Sequence, residues 1–285
     1  MATDKSVAQA HLAEGILKLD IWWKTPAGQM TIDWEQAQLD LLVADRFGFH
    51  AMQLGSPAID GLRSNRMPHR WLVGVASTET MVVKGEGSHR STQVWVDDDA
   101  LPFGGDTMDL MLLPHTLEYS SDPHGCVREA YRALRAEGVL VITGFNEWSW
   151  WGLSQWVRRR LAKLGLQKWG VGRMFLPAEG DFLNASRVKD WLRLMGMEIQ
   201  EVRHGLYLPA IQDPKWIHRW QPLEKWGHRW WRIFGAGFVI VAIKKVPAVR
   251  LMSKRTRRLA TMPSNARAAT TMGATPAERS YTHGL

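Results

Sequence analysis

The chain has 285 residues, an apolar fraction of 45%, one cysteine and a formal net charge of +8. That length allows one large domain or two small ones with a full core. The lone Cys126 excludes a disulfide framework and cysteine-based zinc sites. The N-terminus carries no charged segment followed by an apolar run, and no apolar stretch approaches the roughly 20 residues that cross a bilayer, so a cytoplasmic location is the default expectation.

Residues 1–47 read as an N-terminal helical segment in which Trp22, Trp23 and Trp34 are packing aromatics. Strands follow at Ala51–Leu54, His69–Val75 and Thr92–Val96, the last alternating polar and apolar residues. A fourth strand spans Asp109–Leu113, apolar from Leu110 onward as in a strand buried on both faces, and Pro114-His115 ends it. Asp122 suits an N-cap and Pro123 the first helical position, and Val127, Ala130, Tyr131 and Leu134 make one apolar stripe. These predict a helix over Pro123–Ala136, ended by Glu137-Gly138 with Gly138 left-handed, and a fifth strand at Val139–Thr143. Two strands joined through one helix imply a parallel sheet with ligands outside the strands' carboxyl ends, where Asp97 and His115 stand. Ser186–Met195 repeats the helical pattern, with Ser186 as cap and Gly196 as stop. Met197–Val202 and Phe238–Ile243 then read as two final strands, compatible with an antiparallel pair.

The main domain therefore runs over 48–246, interrupted by tryptophan-rich insertions at 147–183 and 207–233. Eleven of the sixteen tryptophans follow Asn146, several beside arginines such as Arg158-Arg159-Arg160. Such segments suit a lid over an apolar substrate, a membrane interface, or ordinary packing of a cap on the sheet. Aromatics beside basic residues also suit single-stranded nucleic acid, but no nucleic-acid module is recognisable. Residues 247–285 hold seven Lys/Arg against one acid, so +6 of the net charge belongs to this tail, which reads as disordered.

Asp97-x-x-x-Leu101-Pro102-Phe103, then Asp109-Leu110, a strand ending near His115, Asp122-Pro123, Glu129-x-x-Arg132-x-Leu134 and Gly138-Val139-Leu140-Val141-Ile142 form an ordered set. This set resembles the type 11 branch of class I S-adenosylmethionine (SAM)-dependent methyltransferases. The resemblance implies a three-layer α/β sandwich with a seven-stranded, mostly parallel Rossmann-like sheet in the order 3-2-1-4-5-7-6. It implies SAM as cofactor and methyl transfer to a small molecule, for which the tryptophan-rich segments leave an apolar acceptor open. In that family the acid before Leu-Pro-Phe accepts from the adenine amine and the next backbone N–H meets the ring, positions matched by Asp97 and Asp98, with Leu101 beside them. A carboxylate is the strongest side-chain acceptor for an exocyclic amine.

Two departures stand out. The family's first loop reads Asp-x-Gly-x-Gly-x-Gly, where small residues admit the methionine end of SAM. Here it reads Gln53-Leu54-Gly55-Ser56-Pro57-Ala58-Ile59, leaving Gln53 and Gly55 as the matching cofactor positions. The acid that grips the ribose at the end of the second strand is matched by Ala76. His115, a cofactor-binding and catalytic candidate, is either a general base or a histidine that shapes its loop by bonding backbone. Asn146 either orients a substrate or caps the following helix. No phosphate-binding loop, His-Glu-x-x-His or Gly-x-Ser-x-Gly occurs, and the histidines lack metal-ligand spacing. Two functions remain open: methyl transfer, and non-catalytic binding or regulation on a degenerate methyltransferase fold, peripheral to the inner face of a membrane in one variant. The sequence leaves the oligomeric state open.

Overall fold

The structure is a computed structural model that describes residues 19–75, 91–96, 101–163, 180–207 and 234–245. Asp97, Asp98, Ala76, the 207–233 tryptophans beyond Tyr207 and the basic tail lie outside the described residues. The elements in chain order are α1 (Pro26–Val43), β1 (His50–Leu54), β2 (His69–Val75), β3 (Ser91–Val96), β4 (Met108–Pro114), α2 (Pro123–Ala133), β5 (Leu134–Phe145), α3 (Trp150–Lys163), α4 (Ala185–Leu194), β6 (Met197–Gly205) and β7 (Gly237–Lys244).

Seven strands form one sheet in the order β3-β2-β1-β4-β5-β7-β6, as the resemblance implied. β1 to β5 pair in parallel, and β7 runs antiparallel to both β5 and β6. The period-two alternation of strand side chains splits the core into two layers. Ala51, Leu110, Leu112, Val139, Val141, Val239 and Val241 face Leu19, Trp22, Trp23, Leu39 and Val43 of the N-terminal helical segment. Met52, Met111, Leu113, Leu140, Ile142 and Ile240 face Cys126, Val127 and Ala130 of α2 and Val188 and Leu192 of α4. Helix, sheet and helix make the three layers.

Local chemistry explains most boundaries. The Asp122 side chain accepts from the Gly125 N–H at 2.9 Å and Pro123 opens α2, as expected. The helix ends three residues before the expected Ala136, because β5 begins at Leu134. Met108 pairs with Leu134 and Leu110 with Val139, so residues 135–138 bulge from the ladder. The left-handed residue there is Glu137 (φ 62°), not Gly138. Gly138 is needed for space instead: a Cβ would lie 2.8 Å from the Arg135 carbonyl oxygen and 3.1 Å from that of Met108. At α4 the cap is Asn184 and not Ser186, whose N–H donates to the Asn184 side chain at 3.0 Å. Gly196 (φ 81°) stops that helix as expected.

One departure bears on the site. The segment joining β1 to β2 contains turns and no helix, and the face it would have covered is packed by α1, which precedes β1. α1 reaches the far side of the sheet through Trp34. Its indole lies against Gly205 of β6 and Gly237 of β7, which pair with one another in register. A Cβ at Gly205 would overlap the Trp34 ring. Gly205→Ala is therefore expected to lower stability by about 1–3 kcal/mol through overpacking. Thermal denaturation checks this, and an unchanged midpoint would refute the glycine–indole fit.

Candidate functional site

β4 is followed by a residue of unusual backbone and unusual charge. His115 has φ 52°, a left-handed conformation uncommon for a residue other than glycine. The ring is fully buried. Its Nε2 lies 2.8 Å from Glu35 of α1 and its Nδ1 2.9 Å from Glu118 of the following loop. The second Glu35 oxygen accepts from the Thr143 hydroxyl of β5 at 2.9 Å, and the second Glu118 oxygen accepts from the Phe145 N–H. Phe145 and Trp23 stand with ring centroids 4.4 and 5.1 Å from the imidazole. Burial alone would depress the imidazole, but the Coulombic pull of Glu35 and then of Glu118 pushes its pKa up to about 10. Burial raises the Glu118 carboxyl, with His115 and the Phe145 N–H pulling the other way. Each Glu118 oxygen faces a donor, so we assign an imidazolium between two carboxylates. Both ring nitrogens are engaged, and neither is open to an acceptor molecule. The partners are carboxylates and not the backbone carbonyl expected of a loop-shaping histidine.

The loop after β1 is tied to the same place. The Gln53 side chain, almost fully buried, donates to the Ile59 carbonyl at 2.6 Å and that of Ser56 at 3.3 Å, and accepts from the Gly61 N–H at 2.9 Å. Gly55 (φ 128°) lies so close to Thr116 and the Pro114 carbonyl that a Cβ would clash with both. The Ser56 N–H donates to Pro114 O at 3.1 Å, Thr116 Oγ1 donates to Leu54 O at 2.5 Å, and Trp23 Nε1 donates to Ser56 Oγ at 3.0 Å. Ile59 is wholly buried in the core layer beneath α1. The glycine thus admits protein from β4, and the loop's polar groups named here are spent internally. In this conformation those groups are not available to the methionine end of SAM.

The adenine side differs. Asp97 and Asp98 lie outside the described residues, but Leu101, four positions on, is held firmly. Its N–H donates to Glu129 at 3.1 Å, and Arg132 donates to the carbonyls of Leu101 at 3.3 Å and Phe103 at 2.8 Å. Arg132 also pairs with Glu129 and is the main reason that carboxyl titrates below its ordinary range. The Glu129-x-x-Arg132 spacing is therefore a clamp on the Leu-Pro-Phe loop: one turn of α2 places both side chains over it.

A cleft of about 940 Å³ opens outside the carboxyl ends of β4 and β5. Trp148, Trp150, Leu153 and Trp156 form one wall, facing Phe182 and Trp191, with Asp122, Glu147 and Asp181 also lining it. Asn146 is buried behind this wall. Its side chain donates to the Gly235 carbonyl at 3.1 Å and accepts from the Trp148 N–H at 3.2 Å, so it holds the turn leading into α3. The partners that sequence reasoning missed are Glu35, Thr143 and Glu118. Glu35 carried a signal: it falls between Thr31 and Leu39 on the buried stripe of α1, where a carboxylate requires a partner.

With a folded-state pKa raised from 6.5 to about 10, His115 contributes stability that is full below pH 6.5 and lost as the pH rises through 10. The denaturation midpoint should fall with pH across that window more steeply in the native chain than in His115→Gln. Parallel pH profiles for the two proteins would show that no imidazolium is held there. Separately, Glu129→Ala should cost about 1–2 kcal/mol in denaturant unfolding, since it leaves the Leu101 N–H and Arg132 without their partner.

The family model described as Methyltransferase domain matches residues 63–142, from just before β2 to within β5. The β1 loop lies outside that match. The chain is 29% identical over 201 residues to the uncharacterized protein YafS of Escherichia coli (strain K12), covering 70% of this chain and 74% of YafS. Two solved structures share the fold. One is a chain of the complex between the Haloferax volcanii Trm112 methyltransferase activator and a protein designated a methyltransferase (16% identity, TM-score 0.53, covering 78% of this chain and 93% of that one). The other is a SAM-dependent methyltransferase from Thermotoga maritima (15% identity, TM-score 0.52, covering 82% of this chain and all of that one). Residues 63–142 thus match the methyltransferase-domain model, within a sheet that has the strand order the resemblance to class I methyltransferases implied.

Proposed function

We propose that the chain is a SAM-dependent methyltransferase whose acceptor is a small, apolar molecule bound in the aromatic cleft beside β4 and β5. The observation that carries this is the cleft's place: it is lined by the segments that follow β4 and β5, Asp122–His124 and Glu147–Trp150, on the carboxyl-end side of the parallel strands where doubly wound sheets bind ligands. Its volume suits a small-molecule site, and its indole walls suit an apolar or aromatic ring. SAM, when bound, supplies an electrophilic methyl group, and aligning the acceptor with it provides most of the acceleration. No general base among the cleft residues is required for that.

The adenine-side roles come from the family resemblance and the others from contacts within the protein. Asp97 and Asp98 take the adenine end, from a loop whose far side Glu129 and Arg132 clamp at Leu101. Gly55 and Gln53 set the β1 loop against β4. His115 and Asn146 do not line the cleft; each holds its own loop without moving protons, because their polar atoms are engaged by Glu35, Glu118, Gly235 and Trp148. A second reading, non-catalytic binding or regulation on the same fold, is favoured by one observation: the β1 loop spends on Pro114, Ile59 and Gly61 the hydrogen bonds that a methionine moiety would need.

Calorimetric titration with SAM separates the two. Methyl transfer requires saturable binding that weakens by about tenfold or more in Asp97→Ala, the loss of a charge-assisted hydrogen bond. No heat at millimolar SAM would leave only the binding protein.

A further inference from the structure

We infer that the outer face of α3 docks on an anionic membrane surface, with the cleft mouth turned toward the lipid. α3 is amphipathic in an inverted sense. Trp151 faces inward and is 1% exposed, while Trp150, Leu153 and Trp156 are 53%, 51% and 56% exposed, and Trp148 just before the helix is 64% exposed. At 100° per residue, positions 150, 153, 156 and 160 fall on one side of the helix, away from position 151. Three indoles and a leucine on one outward side form an apolar patch of the kind that marks an interaction site. Indole rings, with an apolar body and a polar N–H, favour the headgroup boundary of a bilayer.

Charge selects the partner. The helix Trp150–Lys163 contains Arg158, Arg159, Arg160 and Lys163 and no acidic residue. The Arg160 guanidinium lies 5.3 Å over the Trp156 ring, so a cation and an indole share the same exposed patch. Glu147 at the helix entry is the single acid between 147 and 163. A basic half joined to an aromatic half, along a helix of 14 residues, fits a surface that is negative outside and apolar beneath. A soluble protein partner would need a complementary acidic and apolar groove, whereas an anionic bilayer supplies both properties everywhere. The same Trp148, Trp150, Leu153 and Trp156 form one wall of the cleft, so the docking face and the cleft mouth are continuous. An apolar molecule dissolved in the bilayer could enter without crossing water. That route rests on the methyl-transfer reading, but the docking does not.

The test is co-sedimentation of the full chain, without SAM, on vesicles of phosphatidylcholine alone and of phosphatidylcholine with phosphatidylglycerol. Native protein should pellet with the anionic vesicles and remain largely in the supernatant with the neutral ones. Trp150→Ser with Trp156→Ser should reduce partitioning onto anionic vesicles by about tenfold or more, because two indoles no longer leave water. Both positions are exposed, so an unchanged melting curve will confirm that this variant is folded. Three outcomes overturn the proposal: no binding to anionic vesicles; binding that the double substitution leaves unchanged, which would assign it to the basic tail; and no binding together with a self-associated state that the double substitution dissolves, which would assign the face to a second copy of the chain. SAM titration of the same preparation is read independently, so failure of docking and failure of methyl transfer remain distinguishable.

Discussion

Three ionisable side chains meet in the interior at the end of β4, and much of the site is arranged around keeping them paired. A lone buried carboxylate or imidazolium is strongly disfavoured, and removing one member of a buried pair is typically destabilising by about 3–5 kcal/mol. Glu35, His115 and Glu118 avoid that cost only because each oxygen and each ring nitrogen meets a partner: Thr143 and Phe145 supply the last two donors. The cluster joins α1, the β4 loop and the end of β5, three pieces of chain far apart in sequence. It also fixes what His115 can do. A histidine held as imidazolium by two carboxylates is a positioned charge and not a base poised near neutral pH.

The same pairing shapes the crevice between β1 and β4. With Trp23 set edge-on to the His115 ring and donating to Ser56, the N-terminal segment comes down onto the β1 loop. Gln53 then organises that loop from within, which an ionised aspartate could not do in the same way, since the amide both donates to the Ile59 carbonyl and accepts from the Gly61 N–H whereas a carboxylate only accepts. The absence of a helix between β1 and β2 belongs to the same change. A helix N-terminus would have pointed free N–H groups at a ligand. Turns closed by internal hydrogen bonds do not. Open volume lies instead on the aromatic side, beside β4 and β5.

The fold was legible because it is written locally. Continuous apolar runs at β4 and β7, alternation elsewhere, Asp122-Pro123 at one helix start and Gly196 at one helix end each carry their own physical cause. The start of β5 was misjudged because the Leu134-to-Val139 bulge depends on pairing with Met108, which no local pattern reveals. The site was legible only in part for the same reason. His115 stood out by its place at a strand end, yet its partner Glu35 lies 80 residues earlier in a helix that precedes the whole sheet. Its burial was encoded by the Ala27, Thr31, Glu35, Leu39 stripe, but a stripe says only that a charge is inside, not which charge answers it.

The pieces of sequence that carry the family resemblance turn out to be scaffolding. Asp109 accepts from the Phe49 and His50 N–H groups and from Arg135, pinning the entries of β1, β4 and β5. Asp122 caps α2, Glu129 and Arg132 clamp the Leu101–Phe103 loop, and Gly138 makes room at the β5 bulge. Each satisfies a backbone group or a packing limit that the fold imposes whatever its ligand. Such positions answer to the sheet, and all of them lie in the stretch from 63 to 142 that matches the family. The β1 loop answers to a different demand. Its conformation is set by α1 and by the buried charges beneath it, which is why a chain can match in its framework and depart where the framework meets a ligand.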